Sequence, residues 1–155
     1  MPRFEQSIDI RAPINVVFEA LTDPKRGGEW NPNIIDVSHI SNYPVGEGST
    51  WDQVVSVQGL PMTMHCRIES FHPPRSGTLQ ISGGQNATIW TRCEEAGGLT
   101  RVTQTVEFVM PGGKLGALAS GLAKTALRSE FSRTLQRQRD VVESQFGDGH
   151  GPGPA

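Results

Sequence analysis

Polar and apolar residues alternate from the start of the chain. Phe4, Gln6, Ile8 and Ile10 fall on one face, and Arg3, Glu5, Ser7, Asp9 and Arg11 on the other. A period of two marks a half-buried β-strand. Pro13 then opens a helical stretch, Ile14 to Leu21, with the proline in the first turn, where its missing N–H is not needed. Asp23-Pro24 ends that stretch, and a further turn closed by Gly27-Gly28 leads to Trp30. From Ile34 to Phe108 the pattern predicts six strands, 34–40, 49–58, 62–70, 78–82, 86–94 and 99–109. The turn signals between them include Gly46-Glu47-Gly48, Gly59-Leu60-Pro61, Pro73-Pro74 and Ala96-Gly97-Gly98. Such short connections favour an antiparallel meander. After Pro111-Gly112-Gly113 the period turns helical and holds to about Phe146; the Gly/Pro-rich tail 147–155 is expected to be disordered. The order implies an α+β fold: a curved seven-stranded antiparallel sheet around a long C-terminal helix, with short helices between the first two strands. A sheet with one face to bury can be covered by such a helix. One domain, 1–146, accounts for the pattern.

Composition narrows the functional classes. The 155 residues are 35% hydrophobic with 18 glycines, and together these approach the apolar share of an ordinary globular domain. Fourteen Lys and Arg against sixteen Asp and Glu give a net charge of −2, which argues against DNA binding through a broad basic face. No apolar run reaches the ~18 residues of a membrane span, and the charged, alternating start does not read as a signal peptide. Two cysteines, Cys66 and Cys93, make no disulfide framework, and a reduced, cytoplasmic protein is the expectation. No phosphate-loop, dinucleotide-binding, nucleophile-elbow or zinc-protease motif occurs, and His39, His65, His72 and His150 lack metal-ligand spacing. Neither a metal nor another cofactor is expected.

Several segments, in order, resemble the SRPBCC superfamily, the START-like or polyketide cyclase/dehydrase proteins with a helix-grip fold. They are SIDIRAPINVVFEALTDPKRGGEWNP, VGEGSTW around Trp51, IESFHPPR, GGLTRVTQTVEF and the terminal helix, together spanning residues 3–146. The VQGLP stretch and the Gly/Ala-rich helix start are similar to small stand-alone bacterial members. The resemblance implies a cavity between sheet and helix. Members bind lipids or hormones, cyclise or dehydrate polyketides, aid chaperones or act on ribosomes, so the fold alone does not choose among these.

Strand parity nominates lining residues. Trp51, Gln53, Val55 and Val57 share a face, as do Met62, Met64, Cys66 and Ile68; Phe71 breaks the second series, which predicts a bulge at Glu69–Ser70. The adaptable Met pair suits either a pocket of variable contents or plain core. In 86–94 the residues divide into Thr88, Trp90, Arg92 and Glu94 against Ala87, Ile89, Thr91 and Cys93. The resemblance to cyclase-type members puts Trp90, and with it Arg92, on the cavity face, where an inward Arg would polarise a carbonyl or hold an enolate. A solvated strand-end Arg92 is the alternative. Gln104 shares the core face with Val102, Val106 and Phe108, and a buried amide there must find a partner. His65, Glu69 and Glu107 point outward by parity, so no acid–base pair emerges.

In the terminal helix, Leu127, Phe131, Leu135, Gln138, Val142 and Phe146 form one stripe, with Gln138 at its edge. Leu115, Leu118 and Leu122 lie roughly opposite. A straight helix from Lys114 would be ~50 Å long, so a kink is predicted near Ser120–Lys124. Leu118 and Leu122 would then lid the cavity; close packing of a Gly/Ala-rich helix, or an exposed Leu patch for a partner, are the other readings. The Pro111-Gly112-Gly113-Lys114 turn reads as a plain loop-to-helix turn. Lys124, Arg128, Arg133, Arg137 and Arg139 flank the stripe on both sides, and Glu130 is spaced to pair with Arg133 and Arg137.

The sequence thus points to binding of a small, largely apolar, lipid- or polyketide-like molecule. Trp30, Trp51, Met62, Met64, Trp90, Leu118 and Leu122 would supply apolar lining, and Gln53, Arg92 and Gln104 polar anchors. A cyclase/dehydratase using Arg92 is the main alternative and a ribosome- or protein-directed role the third. A homodimer is left open.

Overall fold

Apolar alternation in each strand segment needs one buried face, and a single sheet supplies it. The computed structural model describes residues 3–57, 59–83, 86–109 and 121–150, with side chains of the last segment given for 128–146. The elements are β1 (Arg3–Ile10), α1 (Ile14–Thr22), a 3₁₀ turn (Pro24–Arg26), α2 (Gly27–Trp30), β2 (Ile34–Ser38), β3 (Thr50–Val57), β4 (Leu60–His72), β5 (Ser76–Gly83), β6 (Asn86–Ala96), β7 (Leu99–Val109) and α3 (Gly121–His150). The strands form one antiparallel sheet in the order β1-β7-β6-β5-β4-β3-β2. The meander from β2 to β7 is therefore unbroken, and β1 returns beside the last strand.

Local chemistry explains the boundaries. Pro13 is not inside the first turn of α1 but at its N-cap, with extended φ and ψ of −62° and 150°. Asp23 accepts the Lys25 N–H at 2.9 Å and starts the 3₁₀ turn. Gly27 and Gly28 begin α2 rather than closing a turn. The β4–β5 register shifts between Ile68 and Ser70, at the predicted bulge, and the extra residue brings Phe71 back to the inner face opposite Gly77. α3 continues to His150, past the expected end near Phe146. From Gly121 onward it is helical, so the described part of Ser120–Lys124 holds no break. Leu118, the Leu122 side chain and the 111–114 turn lie outside the described residues.

α3 lies over β1 and against α1 and α2; α1 packs on the sheet at β6 and β7, and α2 meets β2. Its buried stripe is Leu135, Gln138 and Val142, flanked by half-buried Phe131 and Phe146. Among the described basic side chains of the helix, Arg133 and Arg137 reach Glu130, Arg139 reaches Asp140, and the Arg128 guanidinium covers Phe4 of β1. Among the described residues no helix is long and apolar enough to cross a membrane.

Candidate functional site: the inner face of the sheet

Strand register sorts the inner face into transverse rows. Nearest α1, Ile8, Val102 and Cys93 stand side by side. The next row is polar: Gln6 faces Gln104, Gln104 faces Thr91, and Thr91 faces Gly77. Beyond it come Phe4, Val106, Ile89 and Leu79, then Phe108, Ala87, Ile81, Cys66 and Trp51. The buried core divides at the polar row. On one side Ile10, Ala12, Val17, Phe18, Cys93, Val102 and Val142 are sealed at 0–3% exposure, with half-buried Ile8, Ile14, Val16, Leu21 and Phe146 at the edge. On the other, Trp51, Met64, Cys66, Ile68, Ile81 and Ala87 are buried, but Gln53, Val55, Met62, Leu79, Ile89 and Phe108 around them are only half-buried. Phe71 packs against both groups.

The side chains of the polar row are hydrogen-bonded. Gln104 is 6% exposed, and its Nε2 donates to Thr91 Oγ1 at 3.1 Å. Gln6 Nε2 donates to the Arg128 carbonyl at 3.4 Å. From the helix, Gln138 is 2% exposed. Gln53 accepts the Trp51 indole N–H at 3.3 Å, so these two side chains are tied together at the half-buried end.

Five of the expected lining residues, Trp51, Gln53, Met62, Met64 and Gln104, share this face. Trp30 does not: it ends α2, and its indole N–H reaches the Ala20 carbonyl at 3.4 Å among the helices. Trp90 and Arg92 require a correction, because both project from the outer face. The register sets Ala87, Ile89, Thr91 and Cys93 against Phe108, Val106, Gln104 and Val102, and the alternate residues must point the other way. Trp90 lies beneath the Arg3 guanidinium, 5.2 Å from the ring centroid. Arg92 is 63% exposed and pairs with Glu94 at 3.0 Å. Apolarity within the strand itself favours the Ala87–Cys93 set; the resemblance to cyclase-type relatives points the assignment the wrong way. Gln6, Thr91 and Gln138 are absent from the sequence-derived lining set, although each occupies an inward position by strand or helix period. That Gln6, Gln104 and Thr91 form one row follows only from the register.

The outer face carries a different cluster. Asp52 receives His65 Nδ1 at 2.5 Å and His39 Nδ1 at 3.1 Å, and the His65 hydrogen bond holds its carboxyl below the usual range. These side chains line a pocket of about 470 Å³ with Arg67 and Gln80. A second pocket, about 550 Å³, lies at the sheet end between Ile14, Leu99 and Phe146. Among the described residues no three His, Cys, Asp or Glu groups converge as a metal site. Burial pushes the Cys66 and Cys93 thiols up to about 12, so neither is a thiolate nucleophile near neutrality.

An antiparallel sheet gripping a C-terminal helix, with short helices after the first strand, is the helix-grip fold. The chain belongs to the polyketide cyclase / dehydrase and lipid transport family, whose model matches residues 1–143. Among solved structures it is similar to TTHA0849 from Thermus thermophilus, with a TM-score of 0.76 and 14% identity over 93% of this chain and 99% of that one. Ara h 8.0201 gives a TM-score of 0.71 and 17% identity, covering 92% and 97%. DynU16, a putative protein in the dynemicin biosynthetic locus, gives 0.68 and 17%, covering 94% of this chain and 48% of that one. At such identities the likeness shows the fold alone. Comparison with curated protein sequences gives no match.

Proposed function

We propose that the protein binds a small, largely apolar organic molecule against the inner face of the sheet, between β3–β6 and α3. The observation that carries this reading is the unequal sealing of the inner face: the buried apolar side chains on one side of the polar row are 0–3% exposed, whereas those on the other are 2–8% exposed and ringed by half-buried Val55, Met62, Leu79, Ile89 and Phe108. A folding core gains by sealing such surface, at about 25 cal/mol per Å²; leaving it accessible suits a site that a guest completes. Trp51, Met62 and Met64 supply adaptable apolar contact, and Gln53 and Gln104 supply polar anchors. A cyclase/dehydratase mechanism has less support, because Arg92, the cation it would use, stands in solvent beside Glu94.

Native mass spectrometry of the protein purified from its own cells tests the reading. The expected result is a retained mass of a few hundred daltons or less that denaturation releases, together with a melting temperature raised by rebinding the extracted molecule. A ligand-free mass, with no stabilisation by 2-naphthol, 2-methylnaphthalene, octan-1-ol or nonane, would overturn it.

A further inference from the structure

Gln138 Oε1 is buried and has no hydrogen-bond partner. Buried amide oxygens are nearly always satisfied, so an orphan needs an explanation. Two contacts fix where it stands. Gln6 Nε2 meets the Arg128 carbonyl, and the Arg11 N–H donates to Glu143 Oε2 at 2.9 Å, so α3 and β1 run in the same direction. One helical turn of ~5.4 Å matches nearly two strand residues. Val142 packs in the sealed half with Ile10, Cys93 and Val102. Gln138, one turn earlier, lies between Val142 and Arg128, whose carbonyl meets Gln6. It is thus on the stretch of α3 that runs from the sealed half of the core toward the polar row. One Gln104 Nε2 hydrogen goes to Thr91, and Gln138 Oε1 receives none.

We infer that Gln138 Oε1 is the acceptor for a hydroxyl or N–H group of the bound molecule, and that the ligand class is an apolar skeleton bearing such a donor at its inner end. This rests on the binding reading above and adds the chemistry of the guest. An ester, ether or plain hydrocarbon leaves the oxygen unpaired. A carboxylate brings only acceptors and cannot donate to the Gln138 oxygen. A site built to hydrogen-bond a hydroxyl discriminates strongly against an isostere lacking it, because its own polar group is then left unpaired.

The test uses two isosteric pairs, 2-naphthol with 2-methylnaphthalene and octan-1-ol with nonane, titrated calorimetrically into the full-length protein. In the wild type each hydroxyl compound is expected to bind at least as tightly as its methyl partner, although transfer from water alone favours the methyl compound. In Gln138→Met, which keeps the side-chain volume, the hydroxyl compounds should weaken about tenfold, while the methyl compounds stay within about twofold. An unchanged hydroxyl-to-methyl ratio in a folded Q138M overturns the inference and leaves the binding reading standing. If Q138M does not fold, the wild-type ratio decides, and a methyl preference of about tenfold or more in both pairs overturns it. Failure of all four probes to bind, together with a ligand-free native mass, removes the binding reading and this inference together.

Discussion

Val102→Ala and Ile89→Ala place the same kind of truncation on either side of the polar row. Val102 is 0% exposed and sits between Ile8 and Cys93 in the sealed half. Its truncation removes two methyl groups at about 0.8 kcal/mol each, and a residual void of ~40–50 Å³ adds about 1 kcal/mol, for a total near 2.5–3 kcal/mol. Ile89 lies two rows away, half-buried between Val106 and Leu79. Three carbons are lost there, but about half of their surface already meets solvent and the space left is not sealed, so the cost is about 1 kcal/mol. In a protein of this size each kcal/mol moves the melting point by about 2–4 °C. V102A should therefore lose about 5–12 °C and I89A about 2–4 °C by scanning calorimetry, with urea midpoints in the same order. Binding should show the opposite ranking: I89A weakens 2-methylnaphthalene severalfold, and V102A leaves it within about twofold. Equal destabilisation by the two variants would mean that the inner face is sealed throughout, and the argument for a hollow would fail.

Arg92→Ala should change stability by no more than about 0.5 kcal/mol in urea and leave probe binding intact, since it removes only an exposed pair with Glu94; a large loss of either would return Arg92 to the site. The glycines of β5 should respond with opposite sign. A Cβ on Gly77 meets only ordinary contacts at 3.5–3.7 Å, so Gly77→Ala should gain about 0.4–1 kcal/mol. Gly83 has φ +103°, and its Cβ would lie 3.1 Å from the Thr63 carbonyl, so Gly83→Ala should lose about 1–3 kcal/mol. The buried thiols define an alkaline limb. Their pKa is raised from 9.0 to about 12, so the folded state holds these protons more tightly than the unfolded chain. Their contribution is complete below about pH 9 and declines as pH rises toward 12. The urea midpoint should fall over that window, less steeply in a Cys66→Ala/Cys93→Ala double variant, and native protein should resist a thiol reagent at pH 8.

Much of the architecture is legible in the chain itself. Alternation in Phe4–Ile10 and Trp51–Val57, the broken parity at Phe71, and the helical stripe through Leu135 and Val142 are local properties of backbone geometry. They specify the strand succession, the bulge and the face each residue serves. Gln104 is readable for the same reason, since it shares parity with Val102 and Val106. The placement of Trp90 and Arg92 shows where likeness to relatives misleads: parity in β6 and the neighbours in β7 overrule it.

What residue order cannot display is which inward positions become neighbours across strands. Gln6, Gln104 and Thr91 are far apart in the chain, and only antiparallel register lines them up as one polar row dividing the core. Gln138 is buried on the sheet side of α3 because α3 runs along β1, a consequence of packing as well as of its own period. Sequence determined the faces, because side-chain direction repeats every two or 3.6 residues whatever lies nearby. Tertiary structure decided the site, because burial and unmet hydrogen bonds depend on which distant segments come together.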